Sequence, residues 1–305
     1  MGTPIEISLP RYQSDSARCF NASALIRHPD GSLNNYIESN EDIFELAYRQ
    51  STGCNGDLIG CRMKPYSWDL SDAYPILVTP SHEFEDPRLW MFNGQTYISC
   101  TQGYGKIVFA PFHYKDIDPS SLITIFPESN GDPGSLVQKN WGFFQHKHLL
   151  CFVFVPGKDF QVAELCKIPT LPTEKEIFQR VFISTQTGWT SEPFRGGSSP
   201  VYLESENLFY IFCHKMCDYN IWAIAFQKDS HGKWIVVSYT PQQLNTQPDD
   251  TKEIHFVSGA VFNRLKNQWI LTGGLRDQDM GVWIMPHEEL LRKMVPYLMT
   301  PVNKT

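Results

Sequence analysis

The chain has 305 residues, 42% of them hydrophobic and 13% aromatic, with 19% charged and a net charge of −7. That composition excludes a disordered chain, and an acidic balance with no basic stripe excludes general nucleic-acid or anionic-membrane binding, because a phosphate backbone demands clustered cations. No apolar run approaches the roughly 18 residues of a membrane helix, and the opening MGTPIEISLP lacks the basic head and apolar stretch of a secretory leader, so the expected location is the cytoplasm.

A loose pattern recurs along the chain: a polar cluster, a strand, a turn carrying Gly, Asn or Lys, and a second aromatic strand. It reads FNASALIRHPDGSLNNYIES from residue 20, EDPRLWMFNGQTYISC from 85 and KNWGFFQHKHLLCFVFV from 139. It returns as GGSSPVYLESENLFYIFCHK from 196 and SGAVFNRLKNQWILTGG from 258. Further strands follow as IVFAPF, FQVAEL, IWAIAFQ and GVWIMP. Five such units predict an all-β fold, a five-bladed β-propeller spanning 1–305 as a single catalytic domain, with a pair of β-sandwiches as the alternative. Helical character is confined to PTEKEIFQRV and MPHEELLRKMVPYL, and the second predicts a short C-terminal helix.

Eight cysteines are scattered with no C-x-x-C pair, which reads as buried free thiols rather than a zinc site. Gly2 does not make a myristoylation signal, because Glu6 stands where Ser or Thr is required. In a propeller the innermost strand of every blade borders the central funnel, so the polar clusters that open the repeats converge on one cavity. Glu85, Asp86 and Arg88 open the second repeat. Taken alone, E-D-P-R reads first as an ion-pair cluster tying blades together. Its companions are K-N-W at 139–141, F-R-G-G-S-S-P at 194–200, C-H-K at 213–215 and G-G-L-R-D-Q-D-M-G at 273–281, each at the corresponding place of its repeat.

In that order and register the motifs resemble the five-bladed β-mannoside phosphorylases and their mannogen-forming β-1,2-mannosyltransferase/phosphorylase relatives, over roughly residues 18 to 285. The resemblance implies that Asp86 is the catalytic acid, that Asn21, Ser23 and Asp277 hold the hydroxyls of the reacting mannose, and that Lys139, Arg195 and His214 hold phosphate. Arg88 is expected beside the substrate, competing for the carboxylates. The expected partners are a mannose oligosaccharide with phosphate or mannose 1-phosphate, or GDP-mannose as an alternative donor. No cofactor and no metal enter the scheme.

Each residue also has a plainer reading. Lys139 suits a solvated turn before a buried Trp141, Arg195 a pair with Glu192, His214 a core histidine bonded to backbone, Asn21 and Ser23 a turn cap, and Asp277 a pair with Arg276. Trp68, Tyr104 and Trp189 read as core or blade-edge residues before sugar platforms. One position departs from the phosphorylase pattern: Val155 precedes Pro156 where many of those enzymes carry a phosphate-binding Arg, with Lys158 or Lys139 as replacements. That departure leaves open a transferase that uses mannose 1-phosphate or GDP-mannose, or a hydrolase; a non-catalytic propeller whose pocket holds mannan without reacting is a separate alternative.

Overall fold

Several strands of this chain are apolar along their whole length rather than at alternate residues, which marks a sheet buried on both faces. Leu208–Lys215 shows how this arises. Phe209, Ile211 and Cys213 enter one apolar cluster, while Tyr210 and Phe212 enter another on the opposite face. The computed structural model describes residues 3–13, 16–51, 56–79, 81, 83–103, 106–113, 117–125, 140–155, 157, 160–165, 180–186, 188–191, 194–215, 220–244, 255–276 and 278–297.

These residues form five antiparallel sheets, the blades of a five-bladed propeller. The innermost strands, in blade order, are Arg18–Arg27, Phe84–Phe92, Gly142–His146, the interrupted pair Phe194–Arg195 and Val201–Leu203, and His255–Asn263. Five apolar clusters fill the five gaps between neighbouring blades. Between the second and third blades Trp90 stacks on Phe143 at 4.8 Å and Trp141 on Phe152 at 4.6 Å. Offset aromatic pairs of this kind add about 0.5–1.5 kcal/mol to the area they bury.

The ring closes through the N-terminus. Ile5–Ile7 pairs antiparallel with Asp279–Pro286 and so completes the last blade. Closure of this kind ties the first and last strands into one sheet and covers an edge that would otherwise stand open. The predicted C-terminal helix is His287–Lys293 and no longer. Pro296 biases the residue before it toward extended backbone, and Val295–Pro296 pairs instead with the edge strand Trp234–Tyr239. Residues 172–179 of the other predicted helical segment lie outside the described residues, and its last two residues open the strand Arg180–Gln186.

The first repeat departs from the simple hairpin expected of it. Arg18–Arg27 has Ile43–Ser51 as its blade partner, and the intervening Tyr36–Ile37 runs parallel to the inner strand of the fifth blade. The five described cysteines, Cys19, Cys61, Cys100, Cys151 and Cys213, are buried free thiols, and burial pushes the Cys19 thiol up to about 11.

Candidate active site

In three blades the inner strand slips register against its neighbour: between Phe20 and Ser23, between Glu85 and Arg88, and between Val257 and Gly259. Two of these slips contain a residue in the left-handed region, Asn21 at φ 57° and Asp86 at φ 51°. Asn140, directly ahead of the third inner strand, has φ 62°. Asn and Asp tolerate this region better than other side-chain-bearing residues, and a bulge re-aims the side chain it carries. The N-A, D-P and N-W dipeptides therefore supply both the turn and the polar group at matching places in three blades.

The three groups are wired together. Asn21 Nδ2 donates to Asp86 Oδ1 at 2.7 Å, while Asn21 Oδ1 is buried without a hydrogen-bond partner among the described residues. Gly274 makes room for that amide, since a Cβ there would stand 2.0 Å from Asn21 Oδ1. Asp86 is half-buried.

Arg88 lies beneath Asp86 and is only 2% exposed. Its Nη1 donates to the carbonyls of Asp86 and Pro87 at 3.0 and 2.9 Å, its Nη2 to Asn140 Oδ1 at 3.1 Å, and its Nε to the Gly197 carbonyl. The guanidinium also lies 5.2 Å over the Phe256 ring. Two of these four N–H bonds hold the bulge of its own strand and two join the second blade to the third and fourth, and no carboxylate among the described residues forms an ion pair with it. This corrects the expectation of a substrate contact: Arg88 is a tie under the site. Burial pushes its pKa down to about 10, and the Asp86 charge opposes that shift.

Ser23 also faces protein. It is 1% exposed, and its Oγ accepts from the Leu89 N–H at 2.9 Å, which joins the first blade to the second. Ser258 Oγ and Thr272 Oγ1 both donate to the Ala22 carbonyl, at 2.9 and 2.7 Å. Ser199 Oγ donates to the Leu89 carbonyl at 3.4 Å. Ser23 therefore belongs to a girdle of short hydroxyl side chains between blades.

Arg195 and His214 are register partners in the fourth blade. His214 is 3% exposed and packs edge-on against Phe256 at 4.9 Å. Burial drives its pKa down to about 4; Asp86 pulls it up, and Arg88 and Arg195 push it further down. The imidazole is accordingly neutral near pH 7, so it brings hydrogen bonding rather than charge. Arg195 is half-buried. Lys139 and Asp277, with Lys158, Glu192 and Tyr104, lie outside the described residues. Arg276 pairs with Glu6. Trp189 is buried and donates to the Gly157 carbonyl, and Trp68 packs on Phe44.

The structure thus brings Asn21, Asp86, Arg88, Arg195 and His214 together at one end of the inner strands. Sequence reasoning missed Asn140 and Gly274. The signal for Asn140 was available: a left-handed-tolerant residue in the same position as Asn21 and Asp86.

No family model matches the chain, and no curated protein matches it. Solved structures share its fold across nearly its whole length. A β-1,2-mannobiose phosphorylase from Listeria innocua, solved with β-1,2-mannobiose, is 11% identical with a TM-score of 0.54, over 93% of this chain and 94% of that one. A glycosyl hydrolase from Bacteroides ovatus is 12% identical with a TM-score of 0.53, over 97% and 93%. An exo-β-1,3-galactanase from Phanerochaete chrysosporium is 10% identical with a TM-score of 0.55, over 92% of this chain and 64% of that one. At these identities the likeness is one of fold: the chain is a five-bladed propeller of the architecture that these carbohydrate-active enzymes use.

Proposed function

We propose that this chain catalyses reversible, inverting transfer of a β-mannosyl unit between β-1,2-linked mannose oligosaccharides and phosphate. The observation that carries the reading is Asp86, a half-buried carboxylate turned out of its strand by a bulge and fixed by the Asn21 amide. An inverting hydrolase needs a second carboxylate to activate water, whereas a phosphate dianion is already a nucleophile and needs only to be placed and partly neutralised. One acid then suffices. The fold shared with a mannobiose phosphorylase adds analogy to this chemistry, not proof of it.

In the forward direction a phosphate oxygen attacks the anomeric carbon from the face opposite the glycosidic oxygen. The bond to that oxygen breaks, and Asp86 delivers a proton to it directly or through a sugar hydroxyl. The products are α-mannose 1-phosphate and an oligosaccharide shortened by one residue. Arg195 grips phosphate with its planar fork, with Lys139 as the second cation. Asn21 and Asp277 hold the mannose ring in line. Arg88 and Ser23 keep the bulges in place.

A second reading has its own observation. Val155 takes the place of a phosphate-binding Arg, and His214 is neutral, so cations are fewer than in the phosphorylases it resembles. This leaves open a β-1,2-mannosyltransferase that uses mannose 1-phosphate or GDP-mannose as donor. The deciding experiment incubates the protein with mannose and either mannose 1-phosphate or GDP-mannose, and measures released phosphate or GDP. Release from one donor, abolished by Asp86→Asn, assigns the reaction. Mannan binding without release from either makes the protein a binding propeller, and full activity of Asp86→Asn removes the assignment.

A further inference from the structure

The inner strands have a second end. Asp86 lies near the start of Phe84–Phe92 and Trp90 four residues on, about 13 Å along an extended strand. At that far end lies an open cleft of about 230 Å³ between the second, third and fourth blades and the excursion that carries Tyr36 to the fifth, lined among others by Asn35, Tyr36, Trp90, Gln145, Ser199 and Tyr202. Ser199 belongs to the hydroxyl girdle that closes the cleft toward the axis.

Among the described residues the lining contains no charged one. An ion entering it would lose water without gaining a counter-charge, which is costly. Its polar groups are carboxamides and hydroxyls. Gln145 is clamped, accepting from the Asn93 N–H at 2.7 Å and donating to the Lys147 carbonyl at 2.6 Å. Asn35 is held by its backbone carbonyl, which accepts from the Phe262 N–H at 2.8 Å.

Tyr36 and Tyr202 are half-buried. Arg264 covers one face of Tyr36 at 4.0 Å, and Phe209 packs on Tyr202 at 4.8 Å. The hydroxyl of Tyr36 donates to the Tyr202 carbonyl, and that of Tyr202 to Asn207 Oδ1 at 2.9 Å. Both rings are thus fixed in orientation. Trp90 is 1% exposed and stacked between Tyr97 and Phe143 at 4.6 and 4.8 Å, so it backs the cleft as a rigid wall.

Half-buried tyrosine rings whose hydroxyls donate to protein and remain acceptors, a clamped carboxamide at Gln145 and no charged lining residue suit a ligand with an apolar ring face and neutral hydroxyls on its rim. We infer that this cleft is a second carbohydrate site, holding one neutral pyranose residue on the side of the propeller opposite Asp86. The inference stands apart from the proposed reaction and does not need it.

The test is saturation-transfer NMR on the full chain with methyl mannoside, methyl galactoside and methyl glucoside, and glucuronate as the charged comparison. Asn35→Trp fills the cleft, and Tyr202→Leu removes one ring while keeping the carbonyl that Tyr36 uses. Melting curves establish that both variants fold. At least one neutral glycoside is expected to bind wild type and to weaken tenfold or more in each variant, with glucuronate silent. No binding by wild type, binding unchanged in both variants, or glucuronate bound as well as the neutral sugars would overturn the assignment. Sugar held only at the Asp86 end would show as binding that Asn35→Trp leaves intact.

Discussion

Gly274→Ala tests whether the Asn21 amide is what holds Asp86 in place. A Cβ at 274 would stand 2.0 Å from Asn21 Oδ1 and 3.2 Å from its Cγ, against 3.4 Å from the Asn21 backbone nitrogen. The side chain therefore yields before the backbone does, and the 2.7 Å bond from Nδ2 to the Asp86 carboxylate is lost. A hydrogen bond to a charged group contributes about 1.5–3 kcal/mol, which is roughly 10- to 100-fold in rate if the bond is kept through the transition state. The assay is initial-rate release of phosphate or GDP from the active donor, for Gly274→Ala, Asn21→Ala and the double variant. Because both single changes remove the same contact, the double variant should be no slower than Asn21→Ala. Additive losses would refute the reasoning, since Gly274 would then act by a route that does not pass through Asn21.

Asp86→Asn keeps an acceptor for Asn21 and should change stability by less than about 1 kcal/mol in a urea melt while abolishing turnover. Arg88→Met strips four donors from three carbonyls and Asn140 in the axis, so it should cost roughly 3–5 kcal/mol of stability as well as activity; a melt within 1 kcal/mol of wild type would contradict its role as a tie. His214 is held neutral to about pH 4 in the folded chain, while the unfolded chain takes up that proton near pH 6.5. Between those values the unfolded state binds more protons, so this contribution is complete above about 6.5 and lost as pH falls toward 4, on the order of 3 kcal/mol. A His214→Gln variant should show a flatter stability profile across that window, and an unchanged slope would refute the assignment.

Much of the fold is legible in the sequence because the repeats carry it. FQVAEL is the strand Phe160–Leu165 residue for residue, and E-D-P-R does open the second inner strand. What periodicity hides is which neighbour each residue packs on, since both faces of a blade are apolar and the alternation is silent: Phe212 and Cys213 look alike in sequence yet belong to different clusters. The first hairpin is misread because the turn residues Asp30 and Gly31 do bend the chain, but into a short excursion that reaches the fifth blade before the true partner strand begins. In the site, residue type misleads for Arg88. A charged side chain beside a carboxylate suggests chemistry, and only burial reveals that its fork is used on carbonyl groups.

The hydroxyl girdle separates the two ends of the axis. Ser23, Ser199, Ser258 and Thr272 bind backbone of neighbouring blades across the centre, and buried hydrogen-bonded groups of this size leave the centre close-packed. A sugar at the far cleft would meet this girdle before it could approach Asp86. The two ends should therefore bind independently. Asn35→Trp would silence the far cleft and leave the initial rate at Asp86 unchanged, whereas a parallel fall in rate in a variant of unchanged melting temperature would mean that the girdle transmits strain between the two mouths.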